Sequence, residues 1–333
     1  MIMPPAAKLK GHPRKQIAPL LFAALIGCCA LPSSAQTYPA KAVRVVVPFV
    51  PGGGIDFMAR IVSQRLQENL GQPFVVDNRP GAGGVVGSEV VATARPDGYT
   101  LLAVPISHAA NVSLTKLSFD PVGDFAPIIH LASAPNVVLV HPSLPVKTIG
   151  EFTRLARQHP GQLSYASSGN GSSTHLAAEL FRMLAKIDLL HVPYKGGGPA
   201  LINLLGGQVS MYIGSLPASL PHVRSRRLKA LAVTSAARAN ALPDVPTAIE
   251  AGIAGYEYVG WYGLLAPAGT PAAVIERLNA ETNKILRQAA IVEKLAADGA
   301  QPVGGTPAQF ADHIKNEISK WASVVKYARM RAD

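Results

Sequence analysis

Val43-Arg44-Val45-Val46-Val47-Pro48-Phe49-Val50-Pro51-Gly52-Gly53-Gly54-Ile55-Asp56 runs from a strand pattern into a helix pattern through three consecutive glycines. Residues 43–49 are β-branched and almost wholly apolar, as in a strand covered on both faces. Beyond the glycines, Met58, Ile61, Val62, Leu66 and Leu70 recur at helical spacing, and Gly71 stands where a helix C-terminus favours a left-handed residue. Such a junction leaves backbone N–H groups at a helix start, which suits a carboxylate or phosphate. A plain tight turn accounts for the same residues, with Asp56 as a first-turn acid stabilised by the helix dipole. Asp56 would repel an anion placed beside it. It could instead hold the loop, orient a water or pair with a cationic group on a ligand.

The alternation continues in both directions. Residues 74–76, 101–104, 137–140, 163–166, 190–192 and 228–233 read as strands. Residues 81–87 open a helix, Thr148 and Glu151 form a capping box before one carrying Phe152 and Leu155, and residues 172–184 form another. Thr270-Pro271 starts a helix with Val274, Leu278 and Ile285. Thr306, Pro307 and Gln309 cap a last one whose apolar stripe is Phe310, Ile314, Ile318, Trp321, Val325 and Ala328. Strands alternating with helices argue for an α/β fold with parallel sheets covered on both faces, and for ligands at the carboxyl ends of strands.

A second strand-to-helix junction is Ser167-Ser168-Gly169-Asn170-Gly171-Ser172-Ser173-Thr174-His175. Its hydroxyls and exposed N–H groups form a donor array with no fixed charge. Neutral donors to a charged acceptor contribute roughly 1–3 kcal/mol each. One helix cap needs one hydroxyl, so the surplus favours a ligand. His175 reads as a first-turn structural histidine. With Ser172 or Ser173 it could also serve a secreted hydrolase, although no G-x-S-x-G elbow is present and no local acid completes a triad. Gly81-Ala82-Gly83-Gly84-Val85-Val86-Gly87 resembles a nucleotide fingerprint, but no acid at the right offset supports it, and helix–strand packing explains it better.

Of 333 residues, 48% are hydrophobic and 15% charged, so a large core can form and disorder of the whole chain is excluded. The two cysteines are adjacent, Cys28 and Cys29, which rules out a disulfide scaffold and the usual zinc spacings. The histidines are scattered and no metal site is expected. Aromatic residues make up 6% and no helix carries a basic stripe, so nucleic-acid binding is not expected. At the N-terminus, Lys8, Lys10, Arg14 and Lys15 precede an apolar segment and the small residues Ser33-Ser34-Ala35, the pattern of a secretory signal peptide over residues 1–35. Leu25-Ile26-Gly27-Cys28 fits a lipobox as well, which would make Cys28 a lipidated N-terminus. Either route sends the domain out of the cytoplasm. Residues 196–223 and 258–275 lack formal charge but are broken by glycine and proline, so they read as buried strands and turns rather than membrane spans.

Several further motifs stand in order: Asp77-Asn78-Arg79-Pro80-Gly81-Ala82-Gly83-Gly84, Pro96-Asp97-Gly98-Tyr99-Thr100, Tyr165-Ala166-Ser167-Ser168-Gly169-Asn170-Gly171, His191-Val192-Pro193-Tyr194-Lys195-Gly196, Leu204-Leu205-Gly206-Gly207-Gln208-Val209, Leu242-Pro243-Asp244-Val245-Pro246-Thr247 and Leu265-Ala266-Pro267-Ala268-Gly269-Thr270-Pro271. With the first glycine junction they resemble the solute receptors of tripartite tricarboxylate transporters, the Bug-type periplasmic binding proteins, over nearly all of the chain beyond Tyr38.

The resemblance implies a two-lobed α/β fold of the periplasmic binding protein type II (Venus flytrap) kind, each lobe a mixed sheet flanked by helices. It implies a discontinuous first lobe, residues 36–136 and 260–333, and a second at 137–259. It also implies a monomeric, non-enzymatic receptor that closes on a small organic acid and delivers it to membrane permease subunits, without a cofactor. The expected ligand contacts are Phe49, Gly53, Gly54, Asp56, Ser107, Asn136, Gly169, Ser172, Ser173, Thr174, His175 and Ser215. A ligand-binding sensor that presents its bound state to a signalling protein has the same lobe chemistry. One departure stands out: where relatives have an M-F-D-N-L-P-like segment, this chain reads Tyr212-Ile213-Gly214-Ser215-Leu216-Pro217, with Gly214 at the aspartate position. If that position faces the cleft, an acceptor is lost and ligands without an ammonium group are favoured.

Overall fold

One long strand, β4 (Phe125–Val140), takes part in two sheets of the computed structural model, which describes residues 1–5, 11 and 38–328. The apolar segment expected to belong to a signal peptide, with Cys28 and Ala35, lies outside the described residues. Up to Pro135, β4 pairs antiparallel with β9 (Val259–Pro267) and, at its middle, with β10 (Gln301–Gly304). From Asn136 onward it pairs antiparallel with β7 (Met211–Ser215) and, from Val137, with β8 (Lys229–Val233). The first sheet has the order β2 (Phe74–Asn78), β1 (Val43–Val47), β3 (Thr100–Pro105), β9, β4, β10. The second runs β8, β4, β7, β5 (Ser164–Ser167), β6 (Leu190–Pro193).

Strands β1, β2 and β3 pair in parallel, as do β5, β6 and β7, while every pair made by β4 or β9 is antiparallel. Both sheets are therefore mixed, a two-lobed α/β architecture, and not the wholly parallel arrangement that alternation alone predicts. The reversal comes from the chain crossing between sheets on β4 and turning back along β9. The first part of β4 escapes sequence reading because Pro127 and Pro135 punctuate it. Pro127 sits at a register irregularity, where a proline costs the ladder little.

The helices follow their sequence signals closely. α1 (Gly54–Leu70) ends at Gly71, whose φ of 70° is left-handed and whose N–H returns to the Gln67 carbonyl. After it come α2 (Val85–Ala92) and α3 (Ser107–Leu114). Thr148 Oγ1 accepts the Glu151 N–H at 3.1 Å at the start of α4 (Ile149–Gln158). Beyond α5 (Ser173–Ala185), residues 196–223 depart from expectation: instead of strands and turns alone they hold α6 (Gly197–Leu205) and α7 (Leu216–Arg224) on either side of β7. Gly196 caps α6, and Pro199 and Pro217 fall in first turns, where a missing N–H costs nothing. α8 (Ala272–Leu286) and α9 (Ala289–Ala297) precede α10 (Pro307–Ala328). At the start of α10, Thr306 N donates to Gln309 Oε1 at 2.8 Å and Gln309 N to Thr306 Oγ1 at 3.2 Å, a complete capping box. Its stripe buries Phe310, Ile314, Trp321 and Val325. Glu317 accepts both indole N–H groups, from Trp261 at 3.0 Å and Trp321 at 3.1 Å, tying α10 to β9.

Two glycine features are packing devices. A Cβ at Gly87 would lie 2.7 Å from Pro48 Cα and 2.8 Å from the Arg79 carbonyl oxygen, so residues 81–87 bring helix and strand together as expected. A Cβ at Gly263 would press into the Phe310 ring, 2.6 Å from Cε1 and 2.9 Å from Cε2. The first glycine junction is held by Asp56, which is 4% exposed. Its carboxylate accepts from Gly52 N at 3.1 Å, from Arg60 Nε and Nη2 at 3.0 Å each, and from Asn78 Nδ2 at 3.0 Å. Asn78 Nδ2 also donates to the Phe49 carbonyl at 2.8 Å. Burial pushes the Asp56 carboxyl up, but the donors from Arg60, Asn78 and Gly52 together outweigh it and hold the group below its ordinary 3.8.

Replacing Gly263 by alanine is expected to cost about 1–3 kcal/mol through overpacking against Phe310, read as a lower urea midpoint with an unchanged slope. Asp56→Asn is expected to destabilise the protein at neutral pH. Because the folded carboxyl titrates below 3.8, the wild-type advantage is fully present above that pH and is lost as pH falls through the depressed folded value. Denaturant unfolding of both proteins at pH 7, 4 and 3 checks this: the gap must shrink on acidification.

Candidate functional site

Five helix starts surround one cavity. Gly53, Gly54 and Ile55 come from the start of α1, Pro105 and Ile106 from that of α3, Ser173 and Thr174 from α5, Gly197 from α6, and Ser215 and Ala218 from α7. The cavity comprises about 580 Å³ of empty space, its mouth included, and Phe49, Asn136, Leu201, Tyr212, Trp261 and Tyr262 contribute to its wall. No lining side chain carries a formal charge. The first N–H groups of each helix lack intrahelical acceptors and carry the positive end of its dipole. Such a cavity attracts an anion without a counter-charge.

Glycine makes the geometry possible. A Cβ at Gly197 would lie 3.3 Å from Gly53 Cα, one at Gly52 would lie 3.4 Å from Gly198 Cα, and one at Gly198 would lie 2.6 Å from the Pro51 carbonyl oxygen. The α1 and α6 starts thus meet backbone to backbone. On the side of Gly54, a Cβ would collide with the Tyr262 hydroxyl and lie 2.6 Å from Ser215 Oγ. Gly52 and Gly196 have φ of 92° and 148°, conformations that a side chain strains.

The hydroxyls add to this donor set. Tyr262 donates to Ser215 Oγ at 3.1 Å. Thr174 Oγ1 accepts the Ser168 N–H at 2.7 Å and donates to Ser168 Oγ at 3.0 Å. The Tyr212 hydroxyl stands beside Gly197, 3.0 Å from where a Cβ would be, and Ser168 Oγ lies 3.5 Å from the same point. Burial pushes the Tyr212 phenol up to about 12 and raises that of Tyr262, so both remain neutral donors at physiological pH. Asn136, where β4 changes partners, is held by Nδ2 donating to the Ile213 carbonyl at 3.1 Å. Phe49, Ile55, Ile106, Leu201 and Trp261 leave much of the wall apolar.

Of the expected contacts, Phe49, Gly53, Gly54, Asn136, Ser173, Thr174 and Ser215 come together around this cavity. The other five are placed elsewhere. Asp56 is turned inward as the loop clamp described above. Ser107 is 1% exposed and lines a small adjoining cavity with Pro48, Gly83 and Asn111. Gly169 lies in an outer groove with Asn170, Tyr194 and Lys195, which shares Phe49 and Ser168 with the main cavity. Ser172 is fully buried, its Oγ accepting the His175 N–H as the cap of α5. His175 Nδ1 accepts the Gly171 N–H at 3.1 Å, and its ring stacks on His191 at 4.3 Å between centroids. Ser172 and His175 therefore form a cap and a loop brace rather than a nucleophile and its base.

Sequence reading missed Tyr212, Trp261, Tyr262 and Gly197. For Gly197 a signal was available: Gly196-Gly197-Gly198 follows a strand and precedes a helix, as Gly52-Gly53-Gly54 does. Nothing in the local pattern marks which buried aromatics turn toward the cavity. Gly214 is not in the wall. It sits in β7 opposite Val137, and a Cβ there would meet the Tyr212 ring. Among the described residues no group of three His, Cys, Asp or Glu is arranged to hold a metal ion, and no helix is long and apolar enough to cross a membrane.

Residues 58–330 match the family described as "Tripartite tricarboxylate transporter family receptor". The chain is 40% identical to "Protein BugT" of Bordetella pertussis over 309 residues, 92% of this chain and 94% of that protein. Among solved structures, "R. palustris Rpa4515 with adipate" is 38% identical with a TM-score of 0.86, covering 88% of this chain and 99% of that one. "MatC (Rpa3494) from Rhodopseudomonas palustris with bound malate" is 36% identical with a TM-score of 0.83, covering 86% and 100%. The sheet order, the two glycine-rich helix starts and these matches agree: the chain belongs to the receptor family of the tripartite tricarboxylate transporters.

Proposed function

We propose that this protein is a periplasmic receptor that takes up a small organic acid by closure of its two lobes and delivers it to the permease subunits of a tripartite transporter. The observation that carries the reading is the convergence of five helix starts on one cavity whose wall has no charged side chain. A carboxylate loses several kcal/mol of hydration on burial, and a single neutral donor does not offset that. Several N–H and hydroxyl donors at roughly 1–3 kcal/mol each do. The adipate and malate complexes of similar receptors support the choice of ligand class.

In this reading the lobes are residues 36–136 with 260–333, and 137–259. The change of β4 partners at Asn136 supports the first boundary, and the onset of β9 at Val259 the second. Gly53 and Gly54 grip the ligand from one lobe, and Ser173, Thr174 and Ser215 from the other. Closure is favoured because only the closed form lets one ligand touch both sets. The receptor works as a monomer exported by the leader at residues 1–35.

Calorimetric titration of the purified protein with adipate, malate, succinate and citrate is expected to give saturable 1:1 binding of at least one acid, and none of uncharged polyols. Small-angle scattering is expected to show a smaller radius of gyration with the bound acid. Gly54→Ala, whose methyl would strike Tyr262 and Ser215, is expected to weaken that acid at least a hundredfold while leaving the melting temperature within a few degrees. Absence of binding by any acid of a broad panel would overturn the proposal.

A further inference from the structure

Gly214 and Tyr212 lie two residues apart in β7, on the same face of the strand. The Tyr212 ring lies directly over Gly214: a Cβ there would stand 2.8 Å from Tyr212 Cδ1 and nearer still to Cε1. The same Cβ would stand 2.9 Å from Ser219 Oγ. Ser219 is fully buried, and its hydroxyl oxygen has no hydrogen-bond partner. An unpaired buried hydroxyl costs about 1–3 kcal/mol, and this one faces the spot a side chain at 214 would enter. The space a side chain at 214 would need is thus closed between the Tyr212 ring and a buried hydroxyl.

The other end of Tyr212 reaches the cavity. Its hydroxyl stands beside the α6 start at Gly197 and next to Ser168, and its ring is in the cavity wall with Leu201 and Ala218. One side chain therefore does two things. It fills the space a side chain at 214 would need, and it brings a hydroxyl to the cavity wall.

We propose that Tyr212, seated over Gly214, is a specificity-determining residue of the cleft: its hydroxyl donates to the ligand carboxylate, and its ring bars any acidic side chain at 214 that would accept from a ligand ammonium. The inference rests on the carboxylate reading above and narrows it to acids without an amine. No acidic side chain elsewhere in the wall compensates, because none lines it. An amino acid would bury its ammonium against helix starts of the same sign, without an anionic partner.

The test uses two matched pairs that differ at one substituent, malate against aspartate and adipate against 2-aminoadipate, titrated by calorimetry into the purified wild-type protein, Tyr212→Phe, Tyr212→Ala, Gly214→Ala, the double variant Tyr212→Ala/Gly214→Ala and the double variant Tyr212→Ala/Gly214→Asp. Wild type is expected to prefer the acid without an amine at least tenfold in each pair that binds. Tyr212→Phe is expected to weaken that acid about 10- to 100-fold, the loss of one hydrogen bond to a charged group, with melting temperature preserved. Gly214→Ala is expected to weaken it by displacing the ring, whereas the same alanine on the Tyr212→Ala background is expected to change affinity less than twofold. In Tyr212→Ala/Gly214→Asp the preference for the acid without an amine is expected to narrow at least tenfold.

Equal affinity for malate and aspartate in wild type, an unchanged dissociation constant in Tyr212→Phe, or the same effect of Gly214→Ala on both backgrounds would each overturn the inference while leaving the carboxylate reading intact. If no acid of either pair binds the wild-type protein and a broader acid panel also fails, the carboxylate reading fails and this inference with it.

Discussion

The site depends on two backbones coming closer than any side chain allows. The starts of α1 and α6 meet at Gly52–Gly53 and Gly197–Gly198, where an added Cβ would fall 3.3–3.4 Å from the opposing Cα atoms and nearer still to the Pro51 carbonyl. That approach brings the unpaired N–H groups of two helices to one cavity. An ion pair would need long side chains and would lose their conformational entropy on ordering. Backbone N–H groups are fixed by the helices themselves, so the donors are ordered before any ligand arrives.

Keeping these starts in place is the task of the surrounding network. Asp56 spends its charge on the loop, where Arg60, Asn78 and the Gly52 N–H satisfy it, so its negative charge is answered locally and not presented to the cavity. On the other side, the stacked rings of Tyr165, His191 and His175 and the bond from Ser167 to His191 stiffen the loop that leads into α5. Beneath both, β4 belongs to two sheets and passes from one to the other at Asn136, whose side chain lies in the cavity wall. The proposed closure would act at this crossing, where the two ladders of β4 meet.

The cavity also separates two ways of binding an acid. Arginine and lysine recognise carboxylates by charge and draw in anions from a distance. Here Lys195 lines the outer groove, and no side chain of the inner wall is charged. In the proposed receptor, discrimination inside the neutral wall falls to shape and to the placing of hydroxyls, which is why the position of one tyrosine ring over one glycine carries weight.

What the sequence determined by itself was whatever depends on near neighbours in the chain. The apolar run 43–49, the capping residues Thr148, Thr306 and Gln309, and Gly71 set strands and helix ends through local sterics and hydrogen bonds, and each is found in its expected role, with the strand ending at Val47. The Gly52–Gly54 and Ser167–His175 junctions were legible as donor-rich helix starts for the same reason. Tertiary structure alone decided which donors share a cavity: Asp56, Ser172 and His175 carry suitable chemistry but turn inward, whereas Tyr212, Trp261 and Tyr262, silent in the local pattern, turn toward it. It decided too that the sheets are mixed, since pairing across β4 joins residues more than a hundred positions apart, as Phe125 with Pro267. A side chain's direction on a strand alternates with position, but which face becomes the cavity is fixed only when a distant segment packs against it.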